Sequence, residues 1–273
     1  MNLKAENPIG IFDSGVGGLT VANAIFNQLP NEQLIYFGDT AHLPYGDKSP
    51  QNIVRYSQKI TNFLLTQGCK AIIIACNSAS SHAYDILKKE IGQQTFLINV
   101  IDPVVEYVAQ QQFENIGIIG TRATIKANVY ERKIKKASPL CETNSLETPL
   151  LASYIEEGFF RKKEITQLVL REYLSKPTLK NIKALILACT HYPLIKADID
   201  FYYDQSVHLI DSTDVVADFV GILLSKHGLL NIAEDQVQKK EHCFYASDLT
   251  PTFEQTAQMF FKNPLNLQEK VLK

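Results

Sequence analysis

Two segments of this chain carry the same phrase: Ala71-Ile72-Ile73-Ile74-Ala75-Cys76 and Ala184-Leu185-Ile186-Leu187-Ala188-Cys189. Each is an apolar run that ends in Ala-Cys and passes into small or polar residues, Asn77-Ser78 in one copy and Thr190-His191 in the other. A short apolar run with no alternation, bounded by polar residues, reads as a strand buried on both faces, as in a parallel sheet. The cysteine then stands at the carboxyl end of its strand, where open α/β sheets bind their ligands. A strand that twice delivers a thiol suggests two thiols facing one another across one site. Such an arrangement suits chemistry that needs an acid and a base on opposite faces of a single carbon.

At 273 residues the chain exceeds a comfortable single core, so two domains or two fused halves are expected. A formal net charge of −2, without long charged blocks, gives no reason to expect nucleic acid or an anionic membrane as partner. No apolar stretch approaches membrane-spanning length, and the opening residues lack the apolar core of a secretion signal, so a cytoplasmic location is expected. The five cysteines are odd in number and form no C-x-x-C pair, which argues against a disulfide framework and against a metal site. Cys69, Cys141 and Cys243 read as small buried hydrophobes.

Further parallels extend the duplication. Ile9-Gly10-Ile11-Phe12 precedes Asp13-Ser14-Gly15-Val16-Gly17-Gly18, and Ile116-Gly117-Ile118-Ile119 precedes Gly120-Thr121-Arg122-Ala123-Thr124; a helical pattern follows each. After each cysteine strand comes an Ile-Asp unit, Ile101-Asp102 and Ile210-Asp211. The expected fold is therefore α/β, with two pseudo-symmetric doubly wound parallel-sheet domains facing a shared cleft. The division is expected to be discontinuous, with residues 1–100 plus 212–273 in one domain and 101–211 in the other. Ile53, Tyr56, Ile60, Phe63 and Leu64 mark one buried face of a helix over 51–67, capped by Ser49-Pro50 and stopped at Gly68. A second helix is expected over 164–174. After the polar stretch that follows Gly228, the run 242–246 resembles Leu34-Ile35-Tyr36-Phe37, so the tail is expected to return to the first half, with a last helix from about Thr252.

The glycine-rich turn 13–18 lies between a strand and a helix, where backbone amides can hold a carboxylate. Its spacing is not the dinucleotide fingerprint, and it lacks the Lys-Ser/Thr ending of a P-loop. Alone, it is as readily a tight structural turn. Gly38-Asp39-Thr40 and Pro44-Tyr45-Gly46-Asp47-Lys48-Ser49 form a loop that by itself reads as a Pro/Gly turn. His191, two residues beyond a strand-end cysteine, can lower that thiol's pKa or hold its proton. The commoner fate of a lone histidine is a satisfied place in the core.

Taken together, four segments closely resemble the glutamate racemase family: IGIFDSGVGGLTV, YFGDTAHLPYGDKS, IIACNSAS and LILACTHYPL, in a match that runs from residue 8 to about 265. His42-Leu43 departs from a pattern in which many members carry an arginine, and Asn77-Ser78 replaces a commoner Asn-Thr with the hydroxyl retained. The resemblance implies a cofactor-independent, metal-free interconversion of L- and D-glutamate that supplies D-glutamate for bacterial peptidoglycan. A carboxylate is a poor electron sink for an α-carbanion, yet no lysine stands in a convincing pyridoxal setting. A thiolate on one face and a thiol on the other supply the proton chemistry instead. Carried over from the family, Cys76 deprotonates D-glutamate and Cys189 L-glutamate, with Asp13 and His191 assisting the respective thiols. The family also uses a glutamate in the segment 153–158, preferred here as Glu156 over Glu157. Asp13, Ser14, Tyr45, Gly46, Asn77, Ser78, Thr190 and His191 are then expected to bind the substrate. The competing readings are a related aspartate or hydantoin racemase and a non-catalytic α/β ligand-binding protein. Homodimer formation is left open.

Overall fold

In the computed structural model, residues 3–232 and 241–272 are described. The first sheet contains β1 (Ile9–Asp13), β2 (Leu34–Gly38), β3 (Ala71–Ile74) and β4 (Phe96–Asn99). The second contains β5 (Asn115–Gly120), β6 (Glu142–Glu147), β7 (Ala184–Ala188) and β8 (His208–Asp211). Two late strands, β9 (Cys243–Ala246) and β10 (Leu267–Glu269), join the first sheet. Its order is β10-β9-β2-β1-β3-β4, that of the second sheet is β6-β5-β7-β8, and every pairing is parallel. Both cysteine strands are interior. In register, Ile9 to Phe12 lie beside Ala71 to Ile74, and Ile116 to Gly120 beside Ala184 to Ala188.

The sheets are parallel because their central strands have nothing polar to show to water: β1, β2, β3 and β7 are buried at every position. Side chains alternate between two layers. Ile11 and Ile73 from one sheet, and Leu185 and Leu187 from the other, belong to a single apolar cluster shared by the two halves. Phe12, Ile72 and Ile74 pack into a second cluster, and Ala184, Ile186 and Ala188 into a third, each beneath its own helices. Burial of this kind contributes roughly 25 cal/mol per Å2 of apolar surface, and it fixes the strand ends that carry the polar residues.

The helix Pro50–Thr66 forms as its spacing predicts, with the Ser49 hydroxyl accepting from Asn52 N at its amino end and Gly68 at φ +72° beyond its last turn. The second expected helix is observed as Lys163–Leu174, and the last one as Pro251–Phe260. β9 lies beside β2, with Tyr36 opposite Phe244. Most of the polar stretch after Gly228 falls at 233–240, outside the described residues. Among the described residues no helix is long and apolar enough to cross a membrane.

The two Ile-Asp units are not equivalent. Asp211 ends β8 and caps the helix Ser212–Lys226, its carboxylate accepting from Thr213 N at 2.9 Å. Asp102 lies inside the first turn of the helix Ile101–Gln111. The structural counterpart of Asp211 is Asn99, at the end of β4, whose Oδ1 accepts from the amides of Ile101 and Asp102. A strand-to-helix junction needs a short acceptor side chain for the first free amides, and Asn and Asp serve equally.

Candidate active site

The central strands of both sheets converge at their carboxyl ends. β1 runs into Ser14-Gly15, β3 leads through Ala75 to Cys76, β5 gives way to Thr121, and β7 to Cys189. With the loop 43–46 and the helix Leu151–Glu156 they enclose a cavity of about 50 Å3. Ser14, Tyr45, Gly46, Cys76, Asn77 and Ser78 face it from the first half. Glu156, Cys189, Thr190 and His191 face it from the second. Larger hollows, of about 560 and 480 Å3, run along β4 and β8, but neither touches a thiol.

Glycine permits this convergence. A Cβ on Gly17 would come within 2.3 Å of Thr190 Oγ1 and 2.5 Å of the His191 ring, so only glycine lets the second half seat its Thr190-His191 turn on the first. A Cβ on Gly46 would meet Thr121 Cβ at 2.9 Å. Thr20 Oγ1 adds a hydrogen bond of 3.0 Å to Thr190 O across the same junction.

The two thiols differ in their partners. Cys76 Sγ lies 3.7 Å from Ser14 Oγ, and Cys189 Sγ lies 3.5 Å from His191 Nδ1. Burial pushes the Cys76 thiol up to about 12, helped by the nearby charges of Asp13 and Cys189 and opposed by the Ala79 amide and the Ser14 hydroxyl. For His191, burial disfavours the cation, yet the charge of Cys189 and the Glu156 carboxylate outweigh it and hold the imidazole well above its ordinary value. His191 Nε2 lies 2.7 Å from Glu156 Oε1, so of the two neighbouring glutamates it is Glu156 that meets the imidazole. The ring also meets Phe260 edge-on at 5.3 Å, from the last helix.

Asp13 stands behind the wall rather than on it. It is fully buried, accepts from Gly15 N at 3.0 Å and from Thr190 Oγ1 at 3.4 Å. Burial raises its pKa, against the pull of His191 and of the Gly15 and Gly18 amides. Its charge therefore acts on Cys76 through space, while its hydrogen bond holds Thr190.

Thr121, Ala152 and Ser153 also line the cavity and were not singled out by motif reasoning. Thr121 was within reach of it: in the alignment of Ile9-Gly10-Ile11 with Ile116-Gly117-Ile118, Thr121 falls opposite Ser14. Its hydroxyl lies 2.9 Å from Ser78 Oγ, joining the two halves at the cavity. Among the described residues no group of three or more His, Cys, Asp or Glu is placed to hold a metal ion. Cys69 and Cys141 are buried and Cys243 half-buried, all away from this cavity.

Two parallel sheets that each bring a strand-end thiol to one enclosed cavity define a two-halved α/β protein with its site at the junction. Residues 9–220 match the Asp/Glu/Hydantoin racemase family. Glutamate racemase from Chlorobaculum parvum is 40% identical over 264 residues, covering 96% of this chain and 95% of that protein. The crystal structure of glutamate racemase from Francisella tularensis in complex with D-glutamate superposes with a TM-score of 0.90 at 41% identity, over 98% of each chain. An aspartate racemase from Picrophilus torridus shares the fold at 18% identity, with a TM-score of 0.57 over 81% of this chain and 94% of that one. The chain belongs to the Asp/Glu/Hydantoin racemase family and is an amino-acid racemase, an isomerase.

Proposed function

We propose that this chain interconverts L- and D-glutamate without a cofactor, using Cys189 and Cys76 as the two bases, and so supplies D-glutamate for peptidoglycan in the cytoplasm. The observation that carries the reading is the single cavity lined by one buried thiol from each half, each with its own polar partner. In the L to D direction, the sulfur of Cys189 takes the α-proton and the electron pair of the Cα–H bond stays on carbon, spread into the α-carboxylate. The Cys76 thiol delivers its proton to the opposite face. The turnover leaves Cys189 as a thiol and Cys76 as a thiolate, and exchange with solvent resets the pair. Glu156 and His191 stabilise the charge beside Cys189, and Asp13 keeps the proton on Cys76 until it is needed.

The substrate's carboxylates have donors waiting: Asn77 Nδ2 is buried without a partner among the described residues, and the Ser78 and Thr121 hydroxyls lie beside it on the wall. Glutamate is favoured over aspartate because the Chlorobaculum parvum and Francisella tularensis proteins, 40% and 41% identical over nearly the whole chain, are glutamate racemases. The two sheets also support a discontinuous domain division, 1–100 plus 212–273 against 101–211. The direct test is incubation of the purified, reduced protein with L-glutamate and no added cofactor, followed by circular dichroism. Complete loss of signal with L-glutamate, and none with L-aspartate, is expected; an unchanged L-glutamate signal would overturn the reading.

A further inference from the structure

Asn77, buried at the first turn of the helix Asn77–Ile91, has an amide that could face the cavity with either its oxygen or its nitrogen. The choice decides whether that wall attracts a carboxylate or repels it. Tyr130, from the helix Val129–Ala137 of the other half, settles the orientation. Tyr130 is 2% exposed, and its phenol donates to Asn77 Oδ1 at 2.7 Å. A buried O–H without an acceptor costs about 1–3 kcal/mol, and Asn77 Oδ1 is the acceptor this phenol has among the described residues. Turning the amide over would strand the phenol's proton, so the oxygen stays with Tyr130. Nδ2 is then left buried, with no acceptor among the described residues, on a residue that lines the cavity. Burial, together with the charges of Asp102 and Cys189, raises the phenol's pKa, so Tyr130 remains a donor throughout the working range.

We propose that Tyr130 is a positioning residue that locks Asn77 with its amide nitrogen toward the cavity, making that wall a hydrogen-bond donor for a substrate carboxylate. The inference rests on the cavity's being the substrate site. It also ties recognition to the closed arrangement of the halves, because Tyr130 and Asn77 come from opposite sides of the junction. A ligand group that is itself a donor, such as an ammonium, is turned away at this wall.

The test uses glutarate, a dicarboxylate with no α-proton to lose, so that binding is read without turnover; racemisation by the wild-type protein decides the functional reading separately. Tyr130→Phe keeps the buried ring and removes the donor. By calorimetry its Kd for glutarate is expected to rise about tenfold, the loss of roughly one hydrogen bond to a charged group. KM for both glutamate enantiomers rises alike, with kcat within about threefold. In an Asn77→Ala background, the added Tyr130→Phe change is expected to cost less than twofold, because a residue that acts only through Asn77 has nothing left to position. Asn77→Asp keeps an oxygen for the phenol but turns a negative oxygen toward the ligand, and glutarate binding is expected to fall more than a hundredfold. A Kd within twofold of wild type in Tyr130→Phe would overturn the proposal. So would the full effect persisting in the Asn77→Ala background, unchanged binding in Asn77→Asp, or no glutarate binding by the wild-type protein.

Discussion

Cys76 caps the amino end of a fifteen-residue helix, whereas Cys189, at the end of an equivalent strand, runs into the short turn Tyr192–Ile195. A helix amino terminus favours a thiolate by about 0.3–1 kcal/mol. Burial and the Asp13 carboxylate override it, and Cys76 is pushed up to about 12. On the other side the chain does not continue as a helix, and the turn bends His191 back to within 3.5 Å of Cys189. One half thus holds its proton on sulfur, while the other holds a proton on an imidazole beside sulfur. The duplication supplied two like strands, and the divergence immediately after each cysteine gave the two thiols different partners, the Ser14 hydroxyl for Cys76 and the His191 imidazole for Cys189.

The largest expected effect breaks either half. Cys76→Ala and Cys189→Ala are each expected to lower kcat/KM by at least about a thousandfold, the scale of a removed general acid or base. Cys69→Ala, Cys141→Ala and Cys243→Ala, away from the cavity, are expected to stay within about threefold. An active Cys189→Ala protein would show that one thiol serves both faces. Division of labour has a second signature in heavy water. With L-glutamate as substrate, early D-glutamate is expected to carry α-deuterium while recovered L-glutamate keeps its hydrogen, as read by proton NMR at low conversion. Unlabelled D-glutamate would mean that the removed hydrogen is returned to the other face by the same group.

His191→Asn sharpens the comparison in a way that rate constants alone do not. Racemisation has an equilibrium constant of one, so any variant must lower kcat/KM equally in both directions; about a hundredfold is expected here. The asymmetry emerges instead in isotope effects. Losing the cation beside Cys189 raises the barrier for proton transfer between that sulfur and carbon, so this step dominates in both directions. The primary effect with α-deuterated L-glutamate is then expected to grow, and that with α-deuterated D-glutamate to shrink. Equal changes for both enantiomers would mean that His191 serves the two thiols alike.

How much of this was legible in the sequence follows from what each residue touches. The strands β3 and β7 announced themselves because burial on both faces leaves an unbroken apolar run. The polar strand β6, all of it at least partly exposed at an edge, gave no such run. β10, three residues that among the described residues pair only with β9, was invisible for the same reason. At the site, the motifs located ten wall residues but placed Asp13 among them, since a motif reports proximity along the chain and not which shell a side chain occupies. Tyr130 lies in an ordinary amphipathic helix, and only the meeting of two halves reveals its partner.

The smallest expected effect concerns stability and isolates the proton held by the first half. Cys76 and Cys69 are both raised to about 12 by burial, and Cys141 is raised as well. Below pH 9 these thiols are protonated folded and unfolded, so their contribution to stability is fully present. As pH rises past 9 the unfolded chain releases protons that the folded chain keeps, and stability falls until the folded values near 12 are passed. Each such thiol contributes a slope of about 1.4 kcal/mol per pH unit. Between pH 9 and 10 the shifted His191, Lys70 and buried tyrosines are common to wild type and Cys76→Ala, so the difference in slope between the two proteins reports on Cys76. Urea unfolding across that unit is expected to show a slope shallower by about one proton in Cys76→Ala than in wild type. The comparison uses slopes, so the packing lost with the sulfur cancels. An identical slope in the two proteins would mean that Cys76 releases its proton as readily folded as unfolded, and the contrast between the two halves would then rest on His191 alone.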